Sequence, residues 1–219
     1  MKHSETYKEF KEWISLIGTR EGDYNFYYNF LDDLHDWERG EVEKLIYEKF
    51  EEGRPYVNYF ARHMPNLKGY DGIETLKDYL ANPPDEYPNI LDVVSALYEA
   101  TMETQYIDMM MDEYRRGYEL PCVSVISDST PSEALFQALT HIYINDNESV
   151  NRVTAYHGML HCKGYIENDI TVPENPSEEE MKIRKLLYTN DIEERRRLAE
   201  KLANNEQLLE GIPVPEQRY

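Results

Sequence analysis

Cysteine, long apolar runs and signal-peptide features are scarce or missing in this sequence. The 219 residues include only two cysteines, Cys122 and Cys162, which are too few for a disulfide framework and fit a reducing compartment. No apolar run approaches the ~20 residues that a membrane-spanning helix needs. The opening stretch MKHSETYKEFKEW lacks the apolar core of a secretory signal. We therefore expect a cytoplasmic protein.

Sequence motifs for catalysis are also missing. There is no G-x-S-x-G nucleophile elbow, no G-x-G-x-x-G and no Walker sequence. Asp32 and Asp36 share a helical face, but nothing indicates the pocket that would separate their pKa values for acid–base work. The sequence therefore predicts no catalytic residues and no cofactor, and the protein is expected not to be an enzyme.

One histidine pair leaves a metal-dependent enzyme as an alternative hypothesis. His157 and His161 lie four residues apart, which places two imidazoles on one helical face, and Cys162 follows them. The zinc-protease motif needs a glutamate beside the first histidine, and Gly158 occupies that position. We therefore predict no metal site and interpret the pair as buried helix residues.

Basic residues are few, so the chain carries a formal net charge of −20. Residues 71–182 hold 22 acids and 6 bases, whereas residues 183–219 hold 7 of each. Such a chain should repel nucleic acid and anionic membranes, so neither is an expected partner. Two interpretations of the acidic centre stay open: a solubilising surface, or a face that attracts a basic protein.

Tyrosine is the abundant residue, with 19 in the chain, about three times ordinary usage. Many lie beside carboxylates, an arrangement suited to Lys and Arg through ion pairs and cation–π contacts. The alternative is that tyrosine is a half-buried filler of helical cores. If a basic partner binds, the predicted contact residues are Asp78, Asp85, Glu86, Tyr87, Asp108, Asp112, Glu113 and Tyr114.

Apolar spacing of three and four residues predicts helices along almost the whole chain. Ser4 is the expected N-cap of the first helix, and a second helix is predicted over Tyr24–Trp37. The β-branched run Cys122–Ile126 is predicted to be a loop or the end of a helix, and Asn168–Ser177 a linker.

Three stretches share one pattern, in which a short apolar helix, a break containing asparagine and a second helix follow one another. They are Leu76–Ala100, Leu139–Leu160 and Ile183–Leu202, with breaks at Asn82-Pro83, Asn145-Asp146 and Asn190-Asp191. Self-similar helix pairs indicate a solenoid, in which each pair buries a face against its neighbours.

The second and third copies carry an arginine three residues before an alanine. These are Arg152 with Ala155, and Arg196 with Ala199. The pattern resembles HEAT-like and armadillo-like repeats, in which such an arginine can tie one repeat to the next. The resemblance implies an all-α, HEAT-like α-solenoid of stacked antiparallel helix pairs. We expect one repeat domain over 1–219, clearest over 70–205, with 1–65 either continuing the repeat or forming an N-terminal helical cap.

The size, acidity and tyrosine-rich helical repeats also resemble immunity proteins of bacterial polymorphic toxin systems, some of which are HEAT-like. This resemblance implies a protein-binding module that neutralises a basic toxin domain through an acidic, tyrosine-rich face. A general HEAT-like scaffold or adaptor is the alternative, and a metal-dependent enzyme using His157 and His161 is a third hypothesis.

Overall fold

The computed structural model describes residues 2–22, 26, 29–83, 90–117, 119–166 and 176–219, and every regular element within these ranges is a helix. The all-α prediction is thereby confirmed. The chain forms two compact units, Met1–Glu103 and Thr104–Tyr219. Their boundary falls inside the 70–205 span in which the repeats were predicted.

Among its described residues, the first unit holds five α-helices and two 3₁₀ helices. Its α-helices are α1 (Glu5–Leu16), α2 (Asp36–Glu51), α3 (Val57–Phe60), α4 (Gly72–Ala81) and α5 (Ile90–Thr101), and the 3₁₀ helices cover Phe30–Asp33 and Ala61–Asn66. The second unit holds α6 (Gln105–Arg115), α7 (Glu119–Asp128), α8 (Glu133–Asn145), α9 (Ser149–Cys162), α10 (Glu178–Leu187) and α11 (Ile192–Ala203). None of the helices in the described ranges combines the length and apolar character needed to cross a membrane.

Short polar side chains mark where several helices begin. Ser4 accepts a hydrogen bond from the backbone N–H of Tyr7, which confirms its predicted role as the cap of α1. Ser132 and Asp191 cap α8 and α11 in the same way. Each cap satisfies amide groups that have no partner inside the helix and contributes about 1 kcal/mol.

Aromatic rings form the core of the first unit. The Phe10 ring stacks on Phe30 with centroids 5.0 Å apart, and the Trp13 ring meets the Phe60 ring edge-on at 5.6 Å. All four side chains are almost completely buried. Aromatic pairs of this kind add about 0.5–1.5 kcal/mol beyond the burial of their area. They join α1 to the short helical segments that follow it.

The helix predicted over Tyr24–Trp37 is not formed as one element. Residues 23–25 and 27–28 lie outside the described residues, but Leu34 and His35 have extended backbones that separate the 3₁₀ helix from α2. The break allows the His35 N–H to donate to the Glu38 carboxylate at 3.0 Å. The contact between His35 and Glu38 at the start of α2 therefore outweighs the apolar spacing that predicted one continuous helix.

Glu38 is a buried carboxylate that anchors the N-terminal segment to α2. The backbone N–H and the hydroxyl of Ser4 donate to it at 2.8 and 2.7 Å, and His3 Nδ1 lies 3.1 Å from it. Burial raises the pKa of Glu38, but the hydrogen bonds from Ser4, His35 and His3 outweigh burial and hold it at about 2. The carboxylate therefore stays ionised and joins α1 to α2.

In the second unit, α9 packs against both α7 and α8. Gly158 lies at this contact, because a Cβ there would approach Leu139 Cδ1 to 2.7 Å and Ser127 Cα to 3.0 Å. The glycine that interrupts the zinc-protease motif therefore has a packing role. Close approach of helices commonly requires such a small residue.

The Cys122–Ile126 run forms the interior of α7, so its prediction as a loop or a helix end was wrong. Cys122, Val123 and Ile126 are fully buried. Their spacing of one and four residues places them on one helical face, and burial of that face outweighs the preference of β-branched residues for strands. The predicted breaks at Asn145-Asp146 and Asn190-Asp191 do separate α8 from α9 and α10 from α11.

Two arginines join the α8–α9 pair to the α10–α11 pair. Arg152 donates to the side chain of Asn190 at 2.7 Å and to the carbonyl of Asn147 at 2.6 Å. Arg195 is buried and donates to the carbonyl of Tyr143 at 2.9 Å. Arg196, which the repeat pattern singled out, instead forms an exposed ion pair with Glu193.

Candidate protein-binding surface

The acidic segment, which we define as residues 78–114, contains nine carboxylates and no lysine or arginine. It begins after Lys77 in α4 and ends before Arg115 in α6. Within the segment itself, therefore, no cation is present to neutralise the carboxylates. The counts over residues 71–182, which include six bases, do not show that this shorter segment has none.

The predicted contact residues fall in both units and partly outside the described residues. Asp78 is exposed on α4 of the first unit. Asp85, Glu86 and Tyr87 lie outside the described residues. The other four predicted residues all lie on α6 of the second unit: Asp108, Asp112, Glu113 and Tyr114.

On α6 the carboxylates differ in what they contact. Asp112 pairs with Arg115 at 2.7 Å, and Glu113 pairs with Arg116. Asp108 is exposed one turn before Asp112, and it takes part in no ion pair among the described residues. The free negative charge of this helix is therefore concentrated at Asp108. Exposed pairs such as Asp112–Arg115 contribute at most ~1 kcal/mol and can exchange with an external partner.

Tyr114 is tied to the fold. Its hydroxyl donates to Asp146 Oδ2, and Asp146 also accepts hydrogen bonds from the Asn151 side chain and from the Glu148 N–H. The Tyr114 side chain is half-buried. Its hydroxyl thus helps to hold α6 against the turn between α8 and α9.

Most tyrosines are placed as partly buried packing residues. Of the 14 described tyrosines, eight are half-buried and only Tyr188 is mostly exposed. The five buried ones are Tyr79, Tyr98, Tyr106, Tyr143 and Tyr156. Tyrosine abundance in these residues therefore mainly serves the core, and the described acidic surface carries carboxylates rather than rings.

The two histidines of the metal hypothesis are buried on α9. Arg184 donates to His157 Nε2 at 3.0 Å. Burial and the Arg184 charge lower the pKa of His157 to about 4, and burial followed by Arg218 lowers that of His161. A guanidinium group at Nε2 occupies the position that a metal ion would need. The described residues hold no cluster of three or more His, Cys, Asp or Glu side chains placed to bind a metal.

Both cysteines are buried free thiols. Burial raises the pKa of Cys122 and of Cys162 to about 12. A thiol with such a pKa is almost entirely protonated at neutral pH, so it is a poor nucleophile. Complete burial of the Cys122 side chain also keeps it from reacting with solutes.

A groove beside Tyr188 was not found from the sequence. It lies between α10 and the Leu209–Ile212 turn and has a volume of about 720 Å³. The sequence signal was the position of Tyr188 directly after Leu187, which with Ile183 forms the buried stripe of α10. A residue one step from a buried stripe is rotated by about 100° and can face outwards.

No protein-family model matches the chain, and no curated protein or solved structure shows significant similarity to it.

Proposed function

We propose that this protein is a binding module for a basic protein, and that it acts as an immunity-type inhibitor of a basic toxin domain. The observation that carries the proposal is the acidic segment, with nine carboxylates and no base. The segment's surplus of negative charge, which the ion pairs to Arg115 and Arg116 offset only in part, attracts a cationic surface and accelerates its diffusional approach. Each unit, taken by itself, has an exposed carboxylate placed to do this: Asp78 on α4 in the first unit and Asp108 on α6 in the second.

The inhibitor role rests on chain size, acidity and helical character, which resemble those of toxin-immunity proteins. A toxin domain that acts on nucleic acid needs a cationic site, and a carboxylate surface competes for that site. The buried thiols and the guanidinium-capped His157 offer no reactive group, so occlusion by binding is the mode of action that we assign.

A helical-repeat scaffold is the second candidate function. The contacts of Arg152 and Arg195 favour it, because they join the α8–α9 pair to the α10–α11 pair as repeats of a stack would be joined. A scaffold of this kind would hold its partners through shape and apolar contacts. Its binding would therefore depend little on ionic strength.

The testing experiment is a binding titration against the protein encoded immediately upstream, since toxin and immunity genes are expected to be neighbours. We expect one-to-one binding that weakens as salt is raised and that abolishes the neighbour's toxicity in cells. Binding that is insensitive to salt would favour the scaffold. No binding and no protection would refute the inhibitor proposal for this pair.

A further inference from the structure

The groove beside Tyr188 is bounded by a turn with a defined conformation. Gly211 has a φ of +83°, a left-handed conformation that favours glycine. The Gln207 side chain donates to the Ile212 carbonyl at 3.0 Å and braces the same turn. The wall opposite α10 is thus held in place by backbone geometry and by a hydrogen bond.

A strongly exposed aromatic side chain lines this groove. Among the described residues, eight large hydrophobic side chains are exposed, and four of them lie between positions 181 and 214. They are Met181, Tyr188, Ile192 and Val214, and Tyr188 is the most exposed at 63%. Of these four, Tyr188 lines the groove, and an exposed aromatic ring beside a concave surface is typical of a binding hot spot.

The groove is also lined by charges of both signs. Lys182 and Lys185 are exposed and form no ion pair among the described residues. The same holds for Glu179 and Glu210. Glu194, the remaining charged residue of the lining, is already paired with Arg197. Two cations and two anions are therefore available to a partner at one groove.

A lining with both signs is self-complementary. In a two-fold arrangement each copy supplies both the lysines and the glutamates, and each Tyr188 can enter the groove of the other copy. An acidic peptide would meet Glu179 and Glu210, and a basic peptide would meet Lys182 and Lys185. A second copy satisfies both sets at once.

The net charge favours the same occupant. Two chains of net charge −20 repel one another, so a contact between copies must lie where the local charge is balanced. Residues 178–219, which include the whole of α10, hold ten acids and eight bases and are therefore nearly balanced. We propose that the groove formed by α10 and the Leu209–Ile212 turn is the interface of a two-fold symmetric homodimer.

The first test measures the mass of the chain in solution as a function of concentration, by sedimentation equilibrium. We expect a rise from 26.0 kDa to twice that value. Tyr188→Ala should weaken the dimer about 30-fold, the loss that corresponds to a hot-spot residue. Leu120→Ala is the matched control, since Leu120 is also exposed but does not line the groove. Circular dichroism checks that both variants fold.

The second test exchanges the charges. A Lys182→Glu, Lys185→Glu chain and a Glu179→Lys, Glu210→Lys chain should each fail to form dimers. Mixed one to one, the two variants should associate with each other, because opposite charges then meet across the two-fold axis. A structural role for these residues would not produce such rescue. A wild-type chain that stays monomeric at all concentrations would overturn the proposal, and so would a dimer that neither Tyr188→Ala nor the charge exchange weakens. Binding of a peptide or a small molecule in the groove of a monomeric chain would also overturn it.

Discussion

The acidic segment and the C-terminal region, residues 183–219, use charge in opposite ways. In the C-terminal region Glu193 pairs with Arg196, Glu194 pairs with Arg197, and Arg195 is buried against carbonyl groups. The acidic segment has no cation of its own, and its ion pairs depend on Arg115 and Arg116, which directly follow it. Charge in the C-terminal region is thus largely matched within that region, whereas the acidic segment keeps a surplus of one sign that an external partner can match.

Because of this difference, we expect that removing a buried charge of the C-terminal region lowers stability more than removing a charge of the acidic segment. Replacing Arg195 with Ala removes the arginine donor of the Tyr143 carbonyl and one of the two arginine donors of the Asp146 carbonyl, and should lower the free energy of unfolding by about 3 kcal/mol. Arg196→Ala removes only an exposed pair and should change it by less than ~0.5 kcal/mol. Urea denaturation of both variants measures the difference. Equal effects would mean that the buried and the exposed arginine do not differ in role.

Arg184, a cation of the C-terminal region, lies against the buried His157, and this contact predicts that the stability of the fold depends on pH. The pKa of His157 is lowered to about 4, so between about pH 6.5 and pH 4 the unfolded chain binds a proton that the native histidine does not. Stability is therefore complete above about pH 6.5 and falls by up to about 3 kcal/mol towards pH 4.

His157→Gln should flatten this part of the stability profile, measured as denaturation midpoints across that range. Part of the slope will remain, because the pKa of the neighbouring His161 is lowered as well. An unchanged profile in the variant would show that His157 is not the group responsible.

The smallest expected effect belongs to the acidic segment. Asp108→Asn removes an exposed charge that no described cation neutralises, and should leave stability unchanged or raise it slightly, by less than ~0.5 kcal/mol. Asp112→Asn breaks an exposed pair and should lower stability by a similarly small amount. Thermal denaturation of the two variants measures whether each substitution raises or lowers the stability. A loss above ~1 kcal/mol for Asp108→Asn would assign that carboxylate to the fold.

Apolar spacing was sufficient to predict most helices, because helical periodicity and polar caps are local properties. The turn at Asn145-Asp146 and the cap at Ser4 were predictable for this reason. The helical state of Cys122–Ile126 was not, since it depends on contacts that α7 makes with α9. At Leu34–His35 a hydrogen bond to Glu38 determines the backbone, and apolar spacing carries no information about such a bond.

The sequence pattern did not show which of two adjacent residues faces the interior, and this limited the prediction of site residues. The repeat pattern selected Arg196, whereas Arg195, one residue earlier, points inwards and contacts the Tyr143 carbonyl. Tyr188 was passed over in favour of Tyr87, which lies outside the described residues, and of Tyr114, whose hydroxyl is engaged by Asp146. The position of Tyr188 one residue after the buried stripe of α10 was a local signal, but it does not show whether another part of the chain covers the ring.

Recruitment of a basic partner by carboxylates of the acidic segment is tested most directly by the association rates of two charge-reversal variants. Asp108→Lys and Glu200→Lys change the net charge equally and lie on exposed positions of the same unit, but only Asp108 belongs to the acidic segment. At low salt, Asp108→Lys should slow association with the upstream-encoded protein about tenfold, and Glu200→Lys by less than about twofold. Equal slowing by the two variants would mean that net charge alone drives the encounter, and would contradict the claim.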